Sequence, residues 1–151
     1  MSNQPKILAI ASPGGHWIQL NKICNPLDNR FNILYVTPNS QFISNKNNRI
    51  IKNIIDASAD SKFKVLILAL QVIILLVKER PKFIISTGAA PGAIAFLIAK
   101  YLPIKTIWID SIANVKQLSR SGKMVRNSAD VILTQWEALS DEKVMYKGSL
   151  L

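Results

Sequence analysis

Two turns rich in small residues carry the first chemical signal. Ser12-Pro13-Gly14-Gly15-His16 follows one apolar run, and Thr87-Gly88-Ala89-Ala90-Pro91-Gly92 follows another. Glycines at such points permit tight turns and let a ligand come close to the N-terminus of the next helix. Pro91 suits a first helical turn. Two turns of this kind on one edge would form a cradle for phosphate or sugar hydroxyls, with Gly14, Gly15, Gly88 and Gly92 lining it. Either turn alone reads equally well as a plain strand-to-helix connection. Neither is a nucleotide fingerprint, because GxxxxGK[ST] and GxGxxG are both absent.

Candidate acid–base groups stand beside these turns. His16, the sole histidine, directly follows Gly14-Gly15. An imidazole there could contact substrate or take its proton; it could also be a solvated or capping residue. Asp110 ends the run Trp108-Ile109-Asp110-Ser111, where a carboxylate serves as a helix N-cap or as a functional group. His16 is the first candidate base and Asp110 the second. One histidine and one cysteine, Cys24, exclude HExxH chemistry, a cysteine-rich zinc site and an internal disulfide, so no metal is expected. Trp17, Trp108 and Trp136 read as core or interface residues.

These residues need a frame, and the pattern supplies one. Strand-like runs at 6–11, 32–37, 50–55, 83–87, 105–110 and 131–134 alternate with helical segments at 16–25, 62–78 and 90–101, and a helical stretch is expected from 111 to about 128. The polar stretch 41–48 has no clear assignment. Continuous apolar strands between helices argue for a parallel sheet covered on both faces. The chain's 151 residues suit one domain, and the expected fold is α/β: an open, parallel-sheet, Rossmann-like single domain. Ligands of such sheets bind beyond the carboxyl ends of the strands, where both turns fall.

Charge and apolarity narrow the partners. Lys and Arg number 19 against 9 Asp and Glu, a net charge of +10, which favours anionic partners. Lys116, Arg120 and Lys123 recur at i, i+4 and i+7, a basic helix face suited to phosphate or acidic lipid, or simply a solvated face. The apolar run 65–77 would extend only ~20 Å as a helix, short of the ~30 Å bilayer core. It is apolar nearly all round, and Lys62, Lys64, Lys78, Arg80 and Lys82 flank it. A helix lying on an anionic bilayer, or packed on a partner, fits that composition. The N-terminus has no signal-peptide pattern. A nucleic-acid module would explain the charge, but aromatics are not interleaved with the basic residues. A stand-alone small nucleotide-dependent enzyme remains the other alternative, without a phosphate fingerprint.

Taken together, Ser12-Pro13-Gly14-Gly15-His16-Trp17, Tyr35-Val36-Thr37, Arg80-Pro81, Ser86-Thr87-Gly88-Ala89-Ala90-Pro91-Gly92, Trp108-Ile109-Asp110-Ser111, Leu118-Ser119 with Gly122-Lys123, Ala129-Asp130, Thr134-Gln135-Trp136 and Gly148-Ser149-Leu150-Leu151 resemble one family. It comprises the bacterial relatives of the membrane-anchoring subunit of the dolichyl-diphosphate N-acetylglucosamine transferase. The resemblance covers essentially the whole chain. It implies that residues 1–151 form the acceptor-side domain of a split GT-B glycosyltransferase, equivalent to its N-terminal half. The helix at about 62–80 would contact membrane or partner. The resemblance implies a polyprenyl-diphosphate-linked sugar as acceptor, with a UDP-sugar donor on a second, donor-binding subunit and no cofactor on this chain. Ser111 and Asn114 would join the glycines on the acceptor side. The chain would sit peripherally on the anionic cytoplasmic face of the inner membrane, would bind no nucleic acid, and would be inactive alone. Where that family often carries Glu and Arg, this chain reads Asp110-Ser111-Ile112-Ala113-Asn114.

Overall fold

The computed structural model describes residues 4–40, 49–57 and 61–150; the stretch 41–48 lies outside the described residues. Seven strands form one sheet: β1 (Lys6–Ile10), β2 (Asn32–Pro38), β3 (Ile51–Ile54), β4 (Phe83–Ser86), β5 (Lys105–Ile109), β6 (Val131–Thr134) and β7 (Val144–Tyr146). Their spatial order is β3-β2-β1-β4-β5-β6-β7, and every neighbouring pair is parallel. The chain winds outward from β1 to β3, crosses back to β4 on the other side of β1, then winds outward again. Connections therefore diverge between β1 and β4, opening a crevice beyond their carboxyl ends. Both glycine turns lie at that switch point.

The helices are α1 (Gly15–Cys24), α2 (Lys62–Glu79), α3 (Ala89–Ala99) and α4 (Arg120–Val125). Because successive strand residues point to opposite faces, the core divides in two. Leu8, Ile10, Val36, Ile84 and Ile132 pack with Leu68, Val72 and Leu76 of α2 and Phe96 of α3. Phe96 meets Trp108 edge to face, ring centroids 5.3 Å apart. On the other face Ile7, Ala9, Ile33, Tyr35 and Ile85 pack with Leu20 and Cys24 of α1. Of the four α-helices only α1 covers that side, joined by Leu27 of the short 3-10 turn that follows it, and Ile107 and Leu133 of β5 and β6 stay partly exposed there.

The sheet, the parallel pairing and the helix at 62–78 agree with expectation. The helical stretch from 111 does not: 111–119 is an irregular loop, and only the six residues of α4 are helical. Asp110 draws the loop inward, and Ser119 starts α4 by accepting a hydrogen bond from the Gly122 N–H. Lys116, Arg120 and Lys123 consequently share no helix face. Lys116 lies in the loop, and Lys123 donates to Gln117 Oε1 at 2.6 Å. Strand β7 is an addition; three residues are too few to mark a strand by alternation.

Candidate functional site

The crevice is assembled from the turns after β1, β4 and β5. Helices α1 and α3 begin there with no side-chain cap and no acid in the first turn. Their leading N–H groups and positive dipole ends are left free to attract an anion. Gly14 takes φ +86, a region closed to most side chains, while a Cβ on Gly14 or Gly15 would meet nothing within 4 Å. Both glycines are exposed.

His16 ties the two turns together. Its Nδ1 lies 2.8 Å from the Thr87 carbonyl oxygen, and Thr87 Oγ1 donates back to the His16 carbonyl at 2.7 Å. A carbonyl only accepts, so Nδ1 carries a proton, and the tautomer this contact selects has its lone pair on Nε2. Nε2 has no protein partner among the described residues, and the ring is half-buried. Gly88 lies beneath it: at φ +140, a Cβ there would stand 2.4 Å from His16 Cε1. The geometry offers a fixed imidazole with one basic nitrogen unclaimed, beside two uncapped helix ends.

Asp110 has a different fate from that expected of a base or a helix cap. It is buried at 1% exposure, and both of its oxygens are taken. Oδ1 accepts from Trp108 Nε1 at 3.1 Å and Ser119 Oγ at 2.6 Å; Oδ2 accepts from Ser119 N at 2.8 Å and Asn114 Nδ2 at 3.2 Å. This carboxylate holds the 111–119 loop in shape. Asn114 is one of its donors. Gly92 also leaves the crevice: it is buried in α3, where a Cβ would lie 2.0 Å from Ser86 Oγ, so its work is close helix-to-sheet packing. Ser111 is buried, and its Oγ accepts from Gln19 Nε2 at 3.1 Å.

Gln19 carries no signal in the sequence, and Gln135 enters there only within the Thr134-Gln135-Trp136 run of the family resemblance, with no role assigned. Gln19 Oε1 accepts from Ile112 N at 3.2 Å and Gln135 Nε2 at 2.7 Å. Gln135 Nε2 also donates to the Asp110 carbonyl at 3.1 Å, and its Oε1 accepts from Leu150 N at 3.0 Å. These two amides join α1, the loop after β5, the end of β6 and the C-terminal segment. A glutamine directly after an apolar strand, as in Thr134-Gln135, is the sequence signal that could have found one of them. Gly122 was missed as a packing point: a Cβ there would reach Asp110 Oδ1 at 2.7 Å.

Cys24 is no nucleophile. Burial, helped by the Asp28 charge, pushes its thiol up to about 12. Among the described residues no cluster of His, Cys, Asp or Glu could hold a metal ion. Lys62, Lys64, Lys78 and Arg80 are exposed at the two ends of α2, and among the described residues none has an ion pair. Between them Phe63, Leu66, Leu70, Ile74 and Val77 form one outward apolar stripe, Phe63 being 73% exposed and Ile74 65%. No helix among the described residues is long and apolar enough to cross a membrane.

An open parallel sheet with its switch point between β1 and β4 defines a Rossmann-like domain, with the fold of one half of a GT-B chain. The crystal structure of Acinetobacter baumannii MurG matches it with a TM-score of 0.79 at 11% identity, over 95% of this chain and 45% of that one. Residues 36–150 match the family described as "Oligosaccharide biosynthesis protein Alg14 like", and the chain belongs to that family. The Candida albicans UDP-N-acetylglucosamine transferase subunit ALG14 is 34% identical over 86 residues, 52% of this chain and 39% of that protein. The subunit of the same name from Cryptococcus neoformans var. neoformans is 48% identical over 48 residues, 31% of this chain and 21% of that protein. The matched region thus spans less than half the length of each of these relatives.

Proposed function

We propose that this chain is the acceptor-binding, membrane-associated subunit of a two-component inverting glycosyltransferase. The acceptor is a polyprenyl-diphosphate-linked sugar, and the donor, a UDP-sugar, binds mainly to the partner subunit. The chain rests peripherally on the cytoplasmic face, with the outer stripe of α2 against lipid and its flanking lysines among the headgroups. The observation that carries this reading is His16. Its Nδ1–H is fixed on the Thr87 carbonyl, and its Nε2 is left to accept.

In the reaction His16 Nε2 takes the proton of the acceptor hydroxyl as that oxygen attacks the anomeric carbon. The bond to the UDP oxygen breaks on the opposite side, so the configuration inverts. The uncapped ends of α1 and α3 favour the acceptor's diphosphate over a neutral ligand. Asp110, Gln19 and Gln135 keep the crevice wall in place without touching the reacting atoms. Family membership and the ALG14 relatives, named as transferase subunits, support the subunit role.

The test is reconstitution with the donor-binding subunit. The mixture should transfer sugar to a polyprenyl-diphosphate acceptor, and each chain alone should not. His16→Ala should lower kcat by roughly 100-fold or more while leaving assembly intact. Full activity of the lone chain removes the split-enzyme reading, and an undiminished His16→Ala complex removes the base.

A further inference from the structure

At the carboxyl end of α2 an apolar groove is lined by Leu76, Val77, Leu102 and Ile104, together with Arg80 and Lys82. Arg80 is the C-cap of the helix and sits in the left-handed region, φ 46 and ψ 55, with its N–H donating to Leu76 O at 2.9 Å. That position favours glycine, so an arginine there is held against its own conformational preference. No contact of the guanidinium offsets the strain: among the described residues neither Arg80 nor Lys82 has a side-chain hydrogen bond or ion pair. Both side chains are exposed.

We infer that this groove seats one anionic phospholipid, an acyl chain lying along the apolar wall and the phosphate on Arg80 and Lys82. The charge is complementary, the guanidinium offers a two-pronged donor to phosphate, and the wall matches hydrocarbon. The groove runs into the exposed α2 stripe at Val77, which is 59% exposed, so a lipid in the seat stays continuous with the bilayer. It is also remote from the crevice. Helix α2 starts on the crevice side and, at ~1.5 Å per residue over its 18 residues, ends about 27 Å away. The occupant is therefore a bulk membrane lipid and not the acceptor. This inference rests on the membrane association proposed above and adds to it a discrete seat for one lipid.

Flotation with phosphatidylcholine vesicles, plain or doped with phosphatidylglycerol, tests the seat. Diffuse attraction loses roughly fivefold in binding per charge removed, wherever the charge stands. The double variant Arg80→Gln with Lys82→Gln should lose at least about tenfold more phosphatidylglycerol binding than Lys62→Gln with Lys64→Gln, which removes as much charge from the other end. Arg80→Gly supplies the second readout, because glycine relieves the backbone. It should melt at a higher temperature than the wild type and still lose the preference for phosphatidylglycerol. Equal losses from the two double variants, or an Arg80→Gly chain that keeps the preference, overturn the seat and leave membrane association standing. A wild-type chain that ignores both kinds of vesicle overturns the membrane reading and the seat together.

Discussion

At Gly88 a methyl group would stand 2.4 Å from His16 Cε1 and 2.6 Å from its Nδ1, on a backbone at φ +140. Gly14 differs: its φ of +86 is unfavourable to a side chain, but the space around it is open. Gly15 has neither constraint. The three glycines therefore rank. Gly88→Ala should cost about 1–3 kcal/mol and displace the imidazole, so transfer falls further than stability. Gly14→Ala should cost about 1 kcal/mol, and Gly15→Ala should be close to neutral. Thermal unfolding and the reconstituted transfer rate, measured on the same three variants, check the order. The two glycine turns and the place of His16 beside them were legible in sequence because that geometry is set locally, by residues a few positions apart. The inward turn of Asp110 was not. Its donors Asn114 and Ser119 reach it only through closure of a loop, and no periodicity records that closure.

Among the elements, α2 carries the clearest message. A helix covering a sheet needs one apolar stripe; this one buries Leu68, Val72, Leu75 and Leu76 and leaves Phe63, Leu66, Leu70, Ile74 and Val77 outward. That surplus was readable, since the run is apolar nearly all round, and the described fold leaves the second stripe uncovered. The helix expected after 111 failed for the converse reason. Its basic spacing imitated a helical face while side-chain hydrogen bonds to Asp110 held the backbone in a loop. Replacing Leu70 and Ile74 with glutamate touches only exposed positions, 53% and 65% accessible, so unfolding free energy should move by no more than about 0.5 kcal/mol per site. Vesicle binding should drop by about 100-fold, because roughly 3 kcal/mol of apolar insertion is lost. Cosedimentation beside a thermal melt separates the two effects. A double variant that binds vesicles like the wild type would assign the stripe to a protein partner instead.

For the molecule as a whole, the candidate site and the ion pairs occupy opposite ends of the sheet. The crevice lies beyond the carboxyl ends of the strands, whereas the principal ion pairs cluster toward the other end. Glu79 bridges Lys6 and Lys52, and Asp130 pairs with Lys105 at 2.8 Å. Hydrogen bonds from Lys52 and then Lys6 hold the Glu79 carboxyl below its ordinary value of 4.5. Lys105 and then Thr106 hold Asp130 below 3.8. A carboxyl group whose pKa falls on folding contributes stability above its unfolded value, and that stability is lost as the pH drops through the folded one. The chain should therefore keep its stability from neutral pH down to about 4.5 and lose it progressively below. With a net charge of +10 before any acid titrates, self-repulsion steepens the same decline, and added salt should offset that part alone. Glu79→Gln separates the contributions. At neutral pH it should cost about 1 kcal/mol, and its urea midpoint should converge on that of the wild type as the pH falls through the lowered value of the folded Glu79 carboxyl, below which both side chains are uncharged. Transfer by the reconstituted complex at neutral pH should not change, since Glu79 stands at the carboxyl end of α2, away from His16. A constant gap between the two midpoints across the acid range would mean that Glu79 acts through packing and not through charge.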